Sequence, residues 1–176
     1  MTLCASRKQR DKLSLNNGFT LVEMMVTVSI IIILLVVAVP NFRVYLSSQT
    51  IRNATFDLMA DLMLARSEAI KRNANIDLVA KCQGWQDGWD VKLGTTVLRT
   101  HASMTGIKIL DSQNLTVSCS SLPTVRFTNS GRLDPASNSI IFSIAVDPSN
   151  TSIISRCIRI DLSGRANSSL LYGSGC

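Results

Sequence analysis

The chain has 176 residues, with eighteen Lys and Arg against twelve Asp and Glu, and a formal charge of +6 at pH 7. Four of those bases and one of those acids fall in residues 1–18, so the remainder carries a formal +3. That is a mildly basic surface and not, on its own, the electrostatic footprint of a nucleic-acid binder.

Residues 1–17 are short and polar, and hold Arg7, Lys8, Arg10 and Lys12 against Asp11 alone. Residues 18–40 follow as GFTLVEMMVTVSIIIILLVVAVP, with an apolar run from Met24 to Val39 closed by Pro40. Positive charge beside an apolar segment stays in the cytoplasm, which orients the chain. Glu23 is the anomaly. An acid at mid-helix costs about 2.5–3.5 kcal/mol on insertion scales, so a carboxylate in a membrane segment points to function and calls for a cationic partner. A secretory signal would be followed by a small-residue cleavage site. Val37-Ala38-Val39-Pro40 is a poor one, because proline stands where cutting is expected.

The string Gly18-Phe19-Thr20-Leu21-Val22-Glu23 resembles the class III leader of type IV pilins and type II secretion pseudopilins. The glycine, the phenylalanine, the acid four residues on, the apolar run and the proline all stand in that family's spacing. The resemblance implies that a prepilin peptidase cuts after Gly18 and methylates the amine of Phe19. It also implies a location: the bacterial inner membrane, crossed once, with the C-terminal part in the periplasm and later in a pilus or pseudopilus. Residues i and i+4 share a helix face, so Glu23 lies near the amine of Phe19. In a filament it can instead meet the amine of a neighbouring subunit. A buried charge is tolerated when paired, and only the correct axial offset satisfies both groups, so the pair acts as a register device. Other major and minor pilins, or pseudopilins, are then the partners.

Residues 41–73 continue as a helix. Ile51, Ala54, Leu58, Leu62, Ala65 and Ala69 recur at steps of three and four, an apolar face of period 3.6. Arg52, Asp57, Asp61, Arg66, Glu68, Lys71 and Arg72 fall mostly off it, and Glu68 with Arg72 forms a favourable i,i+4 pair. Pro40 is expected to bend the helix. Residues 20–72 would make a rod on the order of 80 Å at 1.5 Å per residue, a filament subunit's spine.

After Asn73 the period changes. Short β-prone runs are expected at Ile76–Lys81, Trp89–Leu93, Thr96–Thr100, Ile107–Leu110, Leu115–Cys119, Thr124–Thr128, Ser139–Val146 and Arg156–Leu162. Turn signals such as Asp87-Gly88, Ser130-Gly131, Asp134-Pro135 and Ser163-Gly164 separate them. The fold class is therefore α+β: a long N-terminal helix, membrane-spanning in its first half and amphipathic in its second, packed on antiparallel sheet. The expected segments are a cleaved leader (1–18), a transmembrane and assembly helix (19–40), its amphipathic continuation (41–73) and a β-rich globular domain (74–176).

The ARSEA string at 65–69, Gly88-Trp89, Phe127-Thr128-Asn129-Ser130-Gly131-Arg132 and Cys157–Arg165 stand in an order similar to the GspH/FimT family of minor pilins and pseudopilins. In the oxidising periplasm, Cys82, Cys119, Cys157 and Cys176 allow three connectivities once Cys4 leaves with the leader. Cys82–Cys119 with Cys157–Cys176 is the expected pairing, the second stapling the C-terminus to a strand as pilins commonly do. Some family members bind DNA through a glycine-arginine motif with a second arginine two residues on. Here Gly164-Arg165 keeps the first, and Asn167 stands at the second. Arg156, Arg159 and Arg165 are the candidate DNA contacts. Strand alternation puts Arg156 and Arg159 on opposite faces, and two or three phosphate contacts at about 0.9 each in salt slope predict weak, salt-sensitive binding.

Neither a cofactor nor a metal site is expected, since CxxC and HExxH are absent, as are a Walker loop and GxGxxG. The sole histidine, His101, sits in a turn-rich stretch and reads as a surface residue. An enzyme is not expected. The function expected is a minor pilin taking part in pilus initiation at the tip. The alternatives are a minor pseudopilin of type II secretion and a DNA-binding minor pilin in natural transformation.

Overall fold

A computed structural model describes residues 18–82, 84–111, 123–135, 140–147 and 153–171. The expectations on residues 1–17, on the strand at 115–119 and on Cys119 and Cys176 lie outside the described residues. One helix, α1 (Leu21–Arg72), is followed by eight strands. These are β1 (Ile76–Lys81), β2 (Gly84–Leu93), β3 (Thr96–His101), β4 (Ile107–Asp111), β5 (Thr124–Phe127), β6 (Ile140–Val146), β7 (Arg156–Ile160) and β8 (Ala166–Leu170). The fold is α+β, as the periodicities indicate. Contacts divide the chain into two units, Met1–Pro40 and Asn41–Cys176.

In the first unit every described residue from Gly18 to Val39 is exposed. The helix begins on a cap: Thr20 Oγ1 accepts the Glu23 amide at 3.2 Å, and the Thr20 carbonyl accepts from Met24. Thr20-Leu21-Val22-Glu23 thus has the order of a capping box, with Glu23 in the first turn where the helix dipole favours an acid. The helix is assigned without a break through position 40.

The second unit has its own core. Ile51, Ala54, Leu58, Leu62, Ala65 and Ala69 are all buried, the stripe read from the sequence. The helix stops at Asn73, which takes φ 51°. Its amide bonds the Ile70 carbonyl and the next amide bonds Ala69. That is a Schellman ending, with asparagine at the one position that requires a left-handed residue.

The strands form two four-stranded antiparallel sheets, ordered β3-β2-β1-β5 and β4-β6-β7-β8. β2 begins five residues earlier than its β-prone run. Gly84 and Gly88 take positive φ, and the register with β1 shifts between Ala80 and Lys81. The bulge carries Trp85 into the interior. There it meets Phe142 of the other sheet edge-on at 4.9 Å and donates to Asp111 of β4. The bulge therefore lets one strand join two sheets. β8 is absent from the sequence reading because Ala-Asn-Ser-Ser-Leu has little β propensity. Its pairing with β7 places it.

Candidate functional site

Two regions carry the candidate functional residues. At the N-terminus, Phe19 is 70% exposed and Gly18 has open space around it, with nothing within 4 Å of a built Cβ. No requirement for glycine at 18 comes from this chain's own packing. Glu23 is exposed, and its backbone amide serves the cap. Its carboxylate belongs to the first turn of a helix whose described residues from Met24 to Val39 are exposed. α1 holds the one stretch among the described residues long and apolar enough to cross a membrane.

The globular unit places the remaining candidates. Cys82 follows β1 and Cys157 lies buried in β7, and both are disulfide-bonded. On β7, Arg156 falls on the side of the pleat that carries Ile158 and Ile160 into the core, and Arg159 is exposed on the other. Arg156 lines a groove with Tyr45 and Arg52 of α1, and Arg165 a second groove with Met63 and Arg66. The structure thus brings Arg156 and Arg165 each to a groove with an α1 arginine, and Arg159 pairs across the ladder with Asn167.

Two motifs of the resemblance meet. The 127–132 turn closes through Thr128, whose amide bonds the Arg132 carbonyl, and through the Gly131 amide on Thr128. The 161–165 turn closes through Asp161, whose carboxylate accepts from the Ser163 hydroxyl and the Arg165 amide. Those two bonds, the Ser163 hydroxyl first, hold the Asp161 carboxyl below its ordinary pKa. A Cβ on Gly164 would sit 2.3 Å from the Gly131 carbonyl oxygen, and one on Gly131 would sit 2.5 Å from the Ile70 side chain. These glycines let the two turns and the end of α1 approach closely, which is more than the turn role the sequence implies.

Two placements differ from the sequence reading. Asp61 lies within the buried face, fully covered, instead of off it. It is accommodated because Trp89 Nε1 donates to it at 2.8 Å and Arg99 Nε lies 3.0 Å from its other oxygen. That second contact misses hydrogen-bond angles, so it acts as charge pairing. His101 ends β3 half-buried. It stacks on Trp89 at 4.3 Å and points Nε2 at Asp57, 3.5 Å away. The partners of Asp61 are 28 and 38 positions away and Asp57 is 44 from His101, so these contacts have no local sequence signal; Trp89 is the cross-strand neighbour of His101 in the β2–β3 hairpin.

Comparison with known proteins follows this geometry. The family model described as Type II transport protein GspH matches residues 54–164, and that of the prokaryotic N-terminal methylation motif matches residues 13–39. Two crystal structures of the type IV minor pilin FimU of Pseudomonas aeruginosa share the fold. One is 24% identical with a TM-score of 0.56, covering 68% of this chain and 87% of that one. The other is 23% identical with a TM-score of 0.54, covering 67% and 91%. The minor pseudopilin EpsH from the type 2 secretion system of Vibrio cholerae is 11% identical with a TM-score of 0.47, covering 69% and 96%. No curated protein sequence matches.

Proposed function

We propose that this chain, which belongs to the GspH family of pilin-like subunits, is a minor pilin of a type IV pilus that joins the filament near its tip during initiation. It is a minor pilin or pseudopilin in the coarser sense, and a structural subunit rather than an enzyme. The observation that carries the reading is the N-terminal unit. An apolar helix whose described residues are exposed, headed by a methylation motif and one acid, needs a bilayer first and other helices afterwards.

In this account prepilin peptidase removes residues 1–18 and methylates Phe19. Residues 19–40 hold the subunit in the inner membrane, with the domain beyond in the periplasm. Glu23 then meets the Phe19 amine of a neighbour, and the axial offset that pairs them sets the register. The test is Glu23→Ala. Processing and membrane insertion should persist while the amount recovered in sheared filaments falls severalfold. Equal recovery of variant and wild type rejects the pairing.

We also pair Cys82 with Cys119 and Cys157 with Cys176. Non-reducing peptide mapping should return those two cross-linked peptides, and a Cys82–Cys157 peptide rejects the assignment.

A second reading, a minor pseudopilin in protein secretion, is favoured by the description of the matched family. Deleting the gene separates the two. Loss of surface pili with secretion intact supports the first, and periplasmic retention of secreted proteins with pili intact supports the second. DNA binding gains less support, because Arg156 and Arg159 face opposite ways.

A further inference from the structure

Among the described residues the second sheet ends in an open edge, where β8 is bonded to β7 alone. Two bonds flanking the pair fix its parity: the Asp161 amide to the Arg165 carbonyl, and the Leu171 amide to the Ser155 carbonyl. Odd-numbered residues of this strand therefore turn their amides and carbonyls toward β7. Ser168 and Leu170 turn theirs outward. Asn167, Ser168, Ser169 and Leu170 are all exposed, so both faces of the pleat are bare at this edge. β8 holds no proline and no charged side chain, and no strand among the described residues covers its edge.

A cationic groove lies at each end of this strand. One, of about 390 Å³, includes Arg52, Arg156 and Leu170, and the other, of about 190 Å³, includes Arg66, Arg165 and Asn167. Neither is lined by a carboxylate. Among the described residues none of these four arginines makes an ion pair within 4 Å, and Arg165 acts on Asp161 at longer range through charge. From Ala166 to Leu170 β8 advances about 13 Å at 3.3 Å per residue. An extended strand with acids four positions apart matches that spacing.

We propose that this edge receives an extended acidic segment of another polypeptide. The segment adds as a strand beside β8, its backbone pairing with Ser168 and Leu170 and its carboxylates seated on the two arginine pairs. The row of outward amides and carbonyls decides the class of partner. A nucleic acid or a lipid headgroup would satisfy the guanidiniums, but neither offers a matching ladder. This inference does not depend on the place of the chain in a pilus.

The test uses the full chain in detergent micelles and a fluorescein-labelled peptide of sequence TEVTVEVT, followed by fluorescence anisotropy at low salt. The peptide should bind saturably, and its analogue with Lys in place of Glu should not. The same peptide N-methylated at alternate backbone positions, which leaves the protein unaltered, should bind at least about tenfold more weakly. So should the parent peptide with the Arg52→Ala, Arg156→Ala double variant, since charge-assisted bonds of this kind carry about one to two decades of affinity. Ser168→Pro removes an outward amide while sparing the β7 ladder, and should weaken binding likewise. Equal binding of the N-methylated peptide overturns the proposal, because charge alone would then explain the groove. Tighter binding by duplex DNA or by phosphatidylglycerol vesicles, insensitive to Ser168→Pro, also overturns it.

Discussion

Asp61 is the one charged residue among those described with no solvent exposure, and its two partners are unequal. Trp89 is buried beside it, whereas the Arg99 side chain keeps 52% of its surface in water. Deleting the acid leaves an indole N–H without an acceptor, at about 1–3 kcal/mol, and leaves Arg99 to the solvent. Deleting the arginine leaves a buried carboxylate with one donor, and breaking a buried pair from that side costs about 3–5 kcal/mol. Arg99→Ala should therefore destabilise more than Asp61→Ala, and the double variant should be close to Asp61→Ala alone. Urea unfolding of the three proteins measures this, and a milder Arg99→Ala contradicts it. The sequence reading grouped Asp61 with the charged residues mostly off the buried face because of its charge, although three after Leu58 and four before Ala65 it stands at the edge of the stripe. The contacts that admit a charge come from β2 and β3, which the helix pattern does not contain.

At the scale of elements, the turns show how motif and packing are linked. Gly94 and Gly164 both take positive φ, but only Gly164 is crowded. Gly94→Ala should cost about 1–2 kcal/mol, the price of a left-handed L-residue. Gly164→Ala adds a collision with the Gly131 carbonyl at 2.3 Å, which backbone cannot cheaply relieve, so it should cost more. A few degrees of thermal midpoint per kcal/mol separate the two, and equal midpoints would refute the account of the paired turns. The helix stripe and β1 were legible from the sequence to their boundaries, because each buries one face along a regular period. Two features were not. The early start of β2 depends on a glycine bulge that breaks alternation, and β8 depends on a neighbour supplying the ladder that its own composition does not encode.

At the scale of the whole molecule, two units meet different needs. Asn41–Cys176 builds a hydrophobic core of its own, and in Met1–Pro40 the described apolar residues from Phe19 to Val39 are exposed. The N-terminal methylation motif, matched over residues 13–39, was legible because its signal is chemical and local: a glycine, an aromatic residue and one acid ahead of an apolar run. The structure adds the Thr20 cap, which gives Glu23 a helical setting from its first turn. The two grooves beside β8 were not legible, since each joins an arginine of α1 to one of the β7–β8 hairpin, 104 positions apart for Arg52 and Arg156 and 99 for Arg66 and Arg165. The claim on which the functional account rests is maturation at Gly18. It is tested most directly by the mass of the N-terminal peptide of the chain recovered from cells that contain prepilin peptidase, beside that of Gly18→Val. The account predicts N-methylated Phe19 at the terminus of the wild type and an intact leader on the variant, which has no packing reason to misfold. A wild-type chain that keeps residues 1–18, or a variant with a normal methylated terminus, would contradict it.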